Sequence, residues 1–231
     1  MASRLWNEIE LVLGAGSHTV LFGPPGTGKT RVATNDKSYS VTLTMETPAA
    51  ELRGHFVPKG NEFIWHDGPA IRAWREGARL VLNEIDQASG DAMTFLHAIL
   101  DDPEVARLTL PSGETVTPKP GFQVIATTNA MDLSMVLSEA LLDRFAIRIK
   151  VDAPHPKALA SLENRGLADL VARTIGLPQG KRISLRQALV FNKLKARGVP
   201  VEVAARVIFG AEGGAADGTI LASVMGTEKA A

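Results

Sequence analysis

The sequence predicts an α/β domain built on a parallel sheet, followed by a smaller all-helical domain, and three observations carry that prediction. Short apolar runs at about His18–Phe22, Tyr39–Met45, Arg79–Ile85, Phe122–Thr128 and Ala146–Val151, each bounded by Gly, Pro, Asp or Asn, read as five buried strands. Helical patterns lie between several of them, notably Gly68–Glu76 and Ala88–Leu100, and strands alternating with helices imply a parallel sheet covered on both faces. After Val151 the stiff pair Pro154 and Pro156 leads into segments that all read as short helices. The expected domains are therefore residues 1–152 and 153–231.

Leu5, Trp6, Ile9, Val12 and Leu13 recur at helical spacing until Gly14 and Gly16 stop the pattern, which predicts an amphipathic helix covering one sheet edge. After the first strand and the glycine-rich loop that follows it, only Arg31 to Lys37 remain before the second strand. Either the first core helix is truncated or that strand is misplaced. An insertion at about Arg53–His66 carries Gly54, Pro58 and Gly60 with the aromatics Phe56, Phe63 and Trp65. A second, Leu108–Thr117, alternates on both sides of Pro111-Ser112-Gly113-Glu114 and reads as a β-hairpin. Beyond the boundary, helices are expected at Lys157–Thr174, Ser184–Arg197, Pro200–Phe209 and Ala215–Val224, with Gly226–Ala231 frayed.

Acidic and basic residues balance at 25 each in 231 residues, so no global field draws the chain to nucleic acid or anionic lipid. The absence of cysteine excludes disulfides, thiolate metal sites and cysteine nucleophiles. Met1 to Gly16 has no basic start followed by a long apolar run, and no stretch approaches the ~20 apolar residues of a membrane span. A soluble cytoplasmic protein is expected. His18, His55, His66, His97 and His155 show no metal-ligand spacing such as H-E-x-x-H, so solvated or packed histidines are expected.

The segment Gly23-Pro24-Pro25-Gly26-Thr27-Gly28-Lys29-Thr30 satisfies G-x-x-x-x-G-K-[ST] and lies between a strand and a helical start, where a P-loop must lie. Its glycines let backbone N–H groups curl around phosphate oxygens, and the helix N-terminus adds a favourable dipole. Lys29 neutralises the terminal phosphates, Thr30 can ligate Mg²⁺, and Arg31 completes the predicted binding segment. The string predicts binding of a nucleoside triphosphate, ATP with magnesium.

With Glu51-Leu52-Arg53-Gly54, Trp65-His66-Asp67-Gly68-Pro69, Leu80-Val81-Leu82-Asn83-Glu84-Ile85-Asp86, Ala126-Thr127-Thr128-Asn129, Leu141-Leu142-Asp143-Arg144-Phe145 and Ser184-Leu185-Arg186, the chain resembles an AAA+ ATPase. Within that superfamily it is similar to the MoxR-type and dynein-related group with helix-two and pre-sensor insertions. The resemblance implies a P-loop NTPase αβα sandwich, a five-stranded parallel sheet in the order 5-1-4-3-2, two β-hairpin insertions and a C-terminal helical lid. It also implies ATP hydrolysis, assembly into a hexameric ring and remodelling of a protein client, with a von Willebrand factor A domain protein as a possible partner. A nucleotide-gated assembly module with slow or absent hydrolysis is the first alternative, and a DNA-acting motor the second. Neutral charge and the lack of a basic stripe argue against the motor.

The same resemblance assigns site residues. Glu84, at the tip of the third strand, polarises the attacking water, or is a solvated strand-end acid. Asn83 stands where the family has a magnesium-holding Asp; it keeps an acceptor oxygen and loses the charge. Asp86 either compensates, pointing the same way as Glu84 along a continued strand, or caps the next helix. Asn129 resembles the sensor of the terminal phosphate, with turn formation as the rival. Arg144 resembles a finger inserted into a neighbour's site, or pairs within the chain with Asp143 or Glu139. Arg186 resembles the lid sensor, with ordinary salt bridging as the rival. Phe56, Phe63 and Trp65 either line a central pore or fold back as local packing.

Overall fold

The computed structural model describes residues 2–177 and 182–209. The helix expected at Ala215–Val224 and the tail Gly226–Ala231 lie outside the described residues. The described residues form two compact units, one of residues 8–23 and 29–150, the other of residues 2–7, 24–28 and the described residues from 151 onward.

The larger unit is the α/β body. Helix α1 (Ala2–Gly14) enters it from Glu8, and β1 (Thr19–Phe22) follows. Helix α2 (Lys29–Ala33) is only five residues long before β2 (Ser38–Thr42), so the first core helix is truncated and the second strand lies where the apolar run places it. Next come α3 (Ala49–Arg53), the hairpin β3 (Gly54–Lys59) and β4 (Glu62–Asp67), and α4 (Pro69–Glu76). Strand β5 (Arg79–Asn83), α5 (Gly90–Ile99), the short hairpin β6 (Leu108–Thr109) and β7 (Thr115–Val116), β8 (Gln123–Thr128), α6 (Glu139–Arg144) and β9 (Ile147–Lys150) complete it.

The five long strands form one parallel sheet in the order β2-β5-β8-β1-β9, which is the expected 5-1-4-3-2 order read from the other edge. Both hairpin insertions are antiparallel pairs outside that sheet. Successive side chains of a strand point to opposite faces. Val20, Leu80, Leu82, Val124 and Ala126 join the main core with Ile71 and Trp74 of α4 and Leu96 and Ile99 of α5. Leu21, Val81 and Ile125, pointing the other way, are also fully buried, so the sheet is covered on both faces.

Two expectations for this unit change. Helix α1 ends beside interior strands and not at an edge strand: the Leu13 carbonyl accepts from Arg79 Nη2 and Gln123 Nε2, at the amino ends of β5 and β8. Strand β5 stops at Asn83, because Glu84 adopts the left-handed conformation (φ 55°, ψ 49°) and residues 85–87 turn as a 3₁₀ helix. Residues 84 and 86 therefore share no strand face. Asp86 does not cap a helix either; Ser89 caps α5, its hydroxyl accepting from the Ala92 N–H.

The smaller unit is helical, with α7 (Pro156–Ala160), α8 (Arg165–Thr174), α9 (Leu185–Ala196) and α10 (Val201–Phe209) around Leu167, Val171, Ala188, Phe191 and Ala204. The single helix expected over Lys157–Thr174 is two, because the Asn164 side chain accepts from the Leu167 N–H and starts α8 afresh. Helix α9 begins in a capping box: Ser184 Oγ accepts from the Gln187 N–H, and Gln187 Oε1 accepts from the Ser184 N–H. Among the described residues no helix is long and apolar enough to cross a membrane.

Candidate nucleotide site

The carboxyl ends of β1, β5 and β8 lie side by side in the sheet, so the residues that follow each strand meet. Lys29 opens α2 and is buried; its ammonium donates to the Gly23 carbonyl (2.8 Å) and to Asn129 Oδ1 (3.2 Å). Asn129 Nδ2 in turn donates to both carboxylate oxygens of Glu84, at 2.8 and 3.0 Å. Lys29, Asn129 and Glu84 thus form one hydrogen-bonded chain across the ends of three elements. Glu84 is the lone non-glycine residue with positive φ among the described residues, a conformation of a few per cent of such residues that concentrates at functional sites.

Thr30, beside Lys29, donates its hydroxyl to Asn83 Oδ1 at 3.0 Å. Asn83 is 8% exposed; its Oδ1 also accepts from Thr127 Oγ1 (3.1 Å), while Nδ2 donates to Ser40 Oγ (3.1 Å). Every polar atom of this side chain is engaged with a neutral hydroxyl. Arg31 is exposed on α2 and does not join the cluster.

The middle of the loop, Pro24–Gly28, belongs to the helical unit. The Thr27 carbonyl accepts from the His155 N–H at 3.0 Å, and Trp6 Nε1 donates to the carbonyls of Ala153 and Pro154. Gly28 has φ 110°, and a Cβ there would meet His155 Cβ at 3.4 Å and the Trp6 ring at 3.6 Å. The backbone angle, more than the space, demands glycine. Arg186, on the first turn of α9, lines a cleft of about 250 Å³ with Pro25, Gly26, Arg182, Ser184 and Gln187.

Arg144 ends α6. Its Nε donates to Asp101 Oδ1 at 2.8 Å and its Nη1 to the Ala140 carbonyl at 3.0 Å. The intrachain partner is thus Asp101, not Asp143 or Glu139. The three insertion aromatics separate. Trp65 is half-buried against the core and donates its Nε1–H to Asp67, Phe56 meets it edge-on at 5.3 Å, and Phe63 is 73% exposed.

Residues 18–145 match the family AAA domain (dynein-related subfamily). The chain belongs to this family. It is 30% identical over 198 residues to protein NorQ of Paracoccus denitrificans, which covers 82% of this chain and 70% of that protein. It is 32% identical over 161 residues to an uncharacterised protein of Staphylococcus haemolyticus, covering 64% of this chain and 60% of the relative. Among solved structures, NtrX from Brucella abortus in complex with ADP superposes with a TM-score of 0.56 at 20% identity, over 83% of this chain and 48% of that one. This chain therefore spans 70% of the first relative, about 60% of the second and about half of NtrX.

AAA domains bind nucleotide with magnesium, and the oxygen pair of Thr30 and Asn83 fits that ion. Mg²⁺ takes oxygen ligands at about 2.0–2.1 Å in octahedral geometry, whose adjacent ligands lie about 2.9 Å apart; Thr30 Oγ1 and Asn83 Oδ1 are 3.0 Å apart. What the pair lacks is charge. Reading the sequence missed Ser40, Thr127 and Asp101. Thr127 lies within a motif that the sequence singles out, but Ser40 and Asp101 carry no local signal, being brought to Asn83 and Arg144 only by the sheet and by α5.

Proposed function

We propose that this AAA domain binds ATP with magnesium and hydrolyses it, assembles head to tail into a ring, as a hexamer, and uses turnover to remodel a protein partner. The hydrogen-bonded chain Lys29–Asn129–Glu84 at the strand ends carries the reading. An ammonium, an amide and a carboxylate lie within hydrogen-bond reach of one another, which supports their use on the terminal phosphates, the phosphate oxygens and the attacking water respectively. In this reading Glu84 accepts a hydrogen bond from the water and turns its oxygen toward the γ-phosphorus as the bond to the β-phosphate oxygen breaks. Lys29 holds the phosphate charge, and Thr30 and Asn83 would hold the ion, which would supply charge neutralisation when bound.

Arg186 reaches phosphate from the lid, residues 153–231, and Arg144 is supplied to the next subunit's site. Arg31 serves as an outer contact of the bound nucleotide. ADP in the structure of NtrX supports a nucleotide on this fold. A von Willebrand factor A domain protein remains the proposed kind of partner, in the cytoplasm. Glu84→Gln, which keeps the size and one acceptor oxygen for Asn129 Nδ2, is expected to retain ATP binding while phosphate release falls by about 10²-fold or more. Unchanged turnover in that variant sinks the assignment.

A second reading is favoured by one observation: Asn83 puts no charge beside Thr30, and its amide is fully engaged by hydroxyls. On this reading ATP drives assembly and hydrolysis is slow. Steady-state phosphate release separates the two, because substantial wild-type turnover excludes the assembly-only role.

A further inference from the structure

His55 and His66 are eleven positions apart and match no metal-binding string, yet the β3–β4 register sets them directly opposite each other. Side chains alternate across a strand, so the pair lies on the hairpin face opposite Phe56 and Trp65. Both histidines are exposed, and their ring centroids are 6.3 Å apart at an interplanar angle of 57°. We propose that His55 and His66 form a two-histidine clip for a divalent d-block cation, with Zn²⁺ as the best match.

The dimensions support this. A Zn–N bond of about 2.0–2.1 Å places the metal about 3.2 Å from each ring centre, so a tetrahedral ion holds the two centroids about 5 Å apart. The observed pair needs to close by only about 1 Å, within the reach of small side-chain rotations. Directly opposed residues of an antiparallel pair have Cβ atoms about 4.5–5.5 Å apart, so the backbone need not move.

The register beneath the pair is fixed. At the hairpin's base a Cβ on Gly54 would collide with the His66 carbonyl oxygen and come within 2.8 Å of the Gly68 nitrogen. Asp67 is held by Trp65 Nε1 at 2.7 Å and by Arg75 Nε at 2.6 Å. At the far end the strands are joined through Gly60, whose φ of 62° suits the tight turn. Imidazole nitrogen selects zinc, copper or nickel over magnesium and calcium, which prefer oxygen. Among the described residues no group of three or more His, Cys, Asp or Glu converges on a possible ion, so the chain supplies two ligands here and water fills the exchangeable positions.

The test is titration of the full chain with ZnCl₂ and, separately, MgCl₂, read by calorimetry and by the imidazole NMR signals of His55 and His66. The ring signals report this location and no other. The expected result is that Zn²⁺ moves both rings together to a 1:1 end point, that His55→Ala and His66→Ala each weaken this binding at least 10-fold, and that Mg²⁺ moves neither ring. Both positions are exposed, so the variants should keep wild-type thermal stability and ATP binding. Response of a single ring, response of neither, or wild-type zinc affinity in either variant overturns the clip.

Discussion

Replacing Asn83 with Asp adds a negative charge beside Thr30, and its consequences follow from the contacts of the side chain. Asn83 Oδ1 accepts from Thr30 and Thr127 and Nδ2 donates to Ser40. In the Asn83→Asp variant the second carboxylate oxygen takes the place of Nδ2, and the Ser40 hydroxyl rotates to donate to it, so all three contacts survive. What changes is a full negative charge at a position 8% exposed. Without magnesium, that buried charge should lower stability by about 1–3 kcal/mol, read as a shift in the urea midpoint. With magnesium the sign reverses. A dication ligated by the carboxylate, about 3 Å from the centre of its charge, gains roughly 11 kcal/mol of Coulomb energy at an effective dielectric of 20. Most of this is offset by desolvation of both ions. A remainder of about 1.4–2.8 kcal/mol, 10- to 100-fold in affinity, is the expected tightening of Mg²⁺ in the presence of ATP. Calorimetric titration of Mg²⁺ into each protein with ATP measures it, and phosphate release should rise alongside. Equal magnesium affinity and equal turnover in the two proteins would refute the placement of Asn83 beside the ion.

Two further outcomes are expected. His18 accepts the Val124 N–H on Nδ1, and burial lowers its pKa from 6.5 to about 4, so the folded protein resists the proton that the unfolded chain takes up. Its contribution is therefore complete above pH 6.5 and is lost as pH falls from there through about 4; about 2 kcal/mol should disappear between pH 7 and pH 5. Urea unfolding at those pH values should show this loss and a flatter dependence in His18→Asn, whose amide oxygen keeps the acceptor; equal slopes would contradict it. Asp101→Asn removes the carboxylate that holds Arg144 Nε. Because that pair is partly exposed, thermal stability should change by no more than about 0.5–1 kcal/mol while turnover drops about 10-fold; unchanged turnover would mean that the contact does not orient a catalytic group.

What could be read from the sequence was local or periodic. The eight-residue loop at Gly23–Thr30 is contiguous, and its chemistry needs only a preceding strand and a following helix, both of which the apolar runs supplied. The five strands were visible because each falls in a short run with apolar residues closed by a breaking residue, although the edge strands β2 and β9 are only partly buried. Their ends were less visible, since a buried strand and the apolar turn after it look alike: Ile85 is as buried as Leu82, but Glu84 between them turns left-handed. The break in the first helix expected of the smaller unit hangs on one side chain, Asn164, which competes for a backbone N–H that a helical pattern assigns elsewhere. Long-range pairings that no family motif carries were not legible. Asp101 with Arg144 and Ser40 with Asn83 lie 43 residues apart, and in both cases folding alone brings them together.

Mixing two inactive variants tests most directly the proposed sharing of the hydrolytic site between subunits. Lys29→Ala removes the phosphate cation from a subunit's own site, and Arg144→Ala removes the residue proposed for its neighbour's. Alone, each should release phosphate at background rate. Mixed, a Lys29→Ala subunit lends Arg144 to an Arg144→Ala neighbour whose P-loop is intact, so some interfaces are complete and turnover should recover to a substantial fraction of wild type. Turnover that stays at background in mixtures shown to co-assemble with ATP would contradict the account.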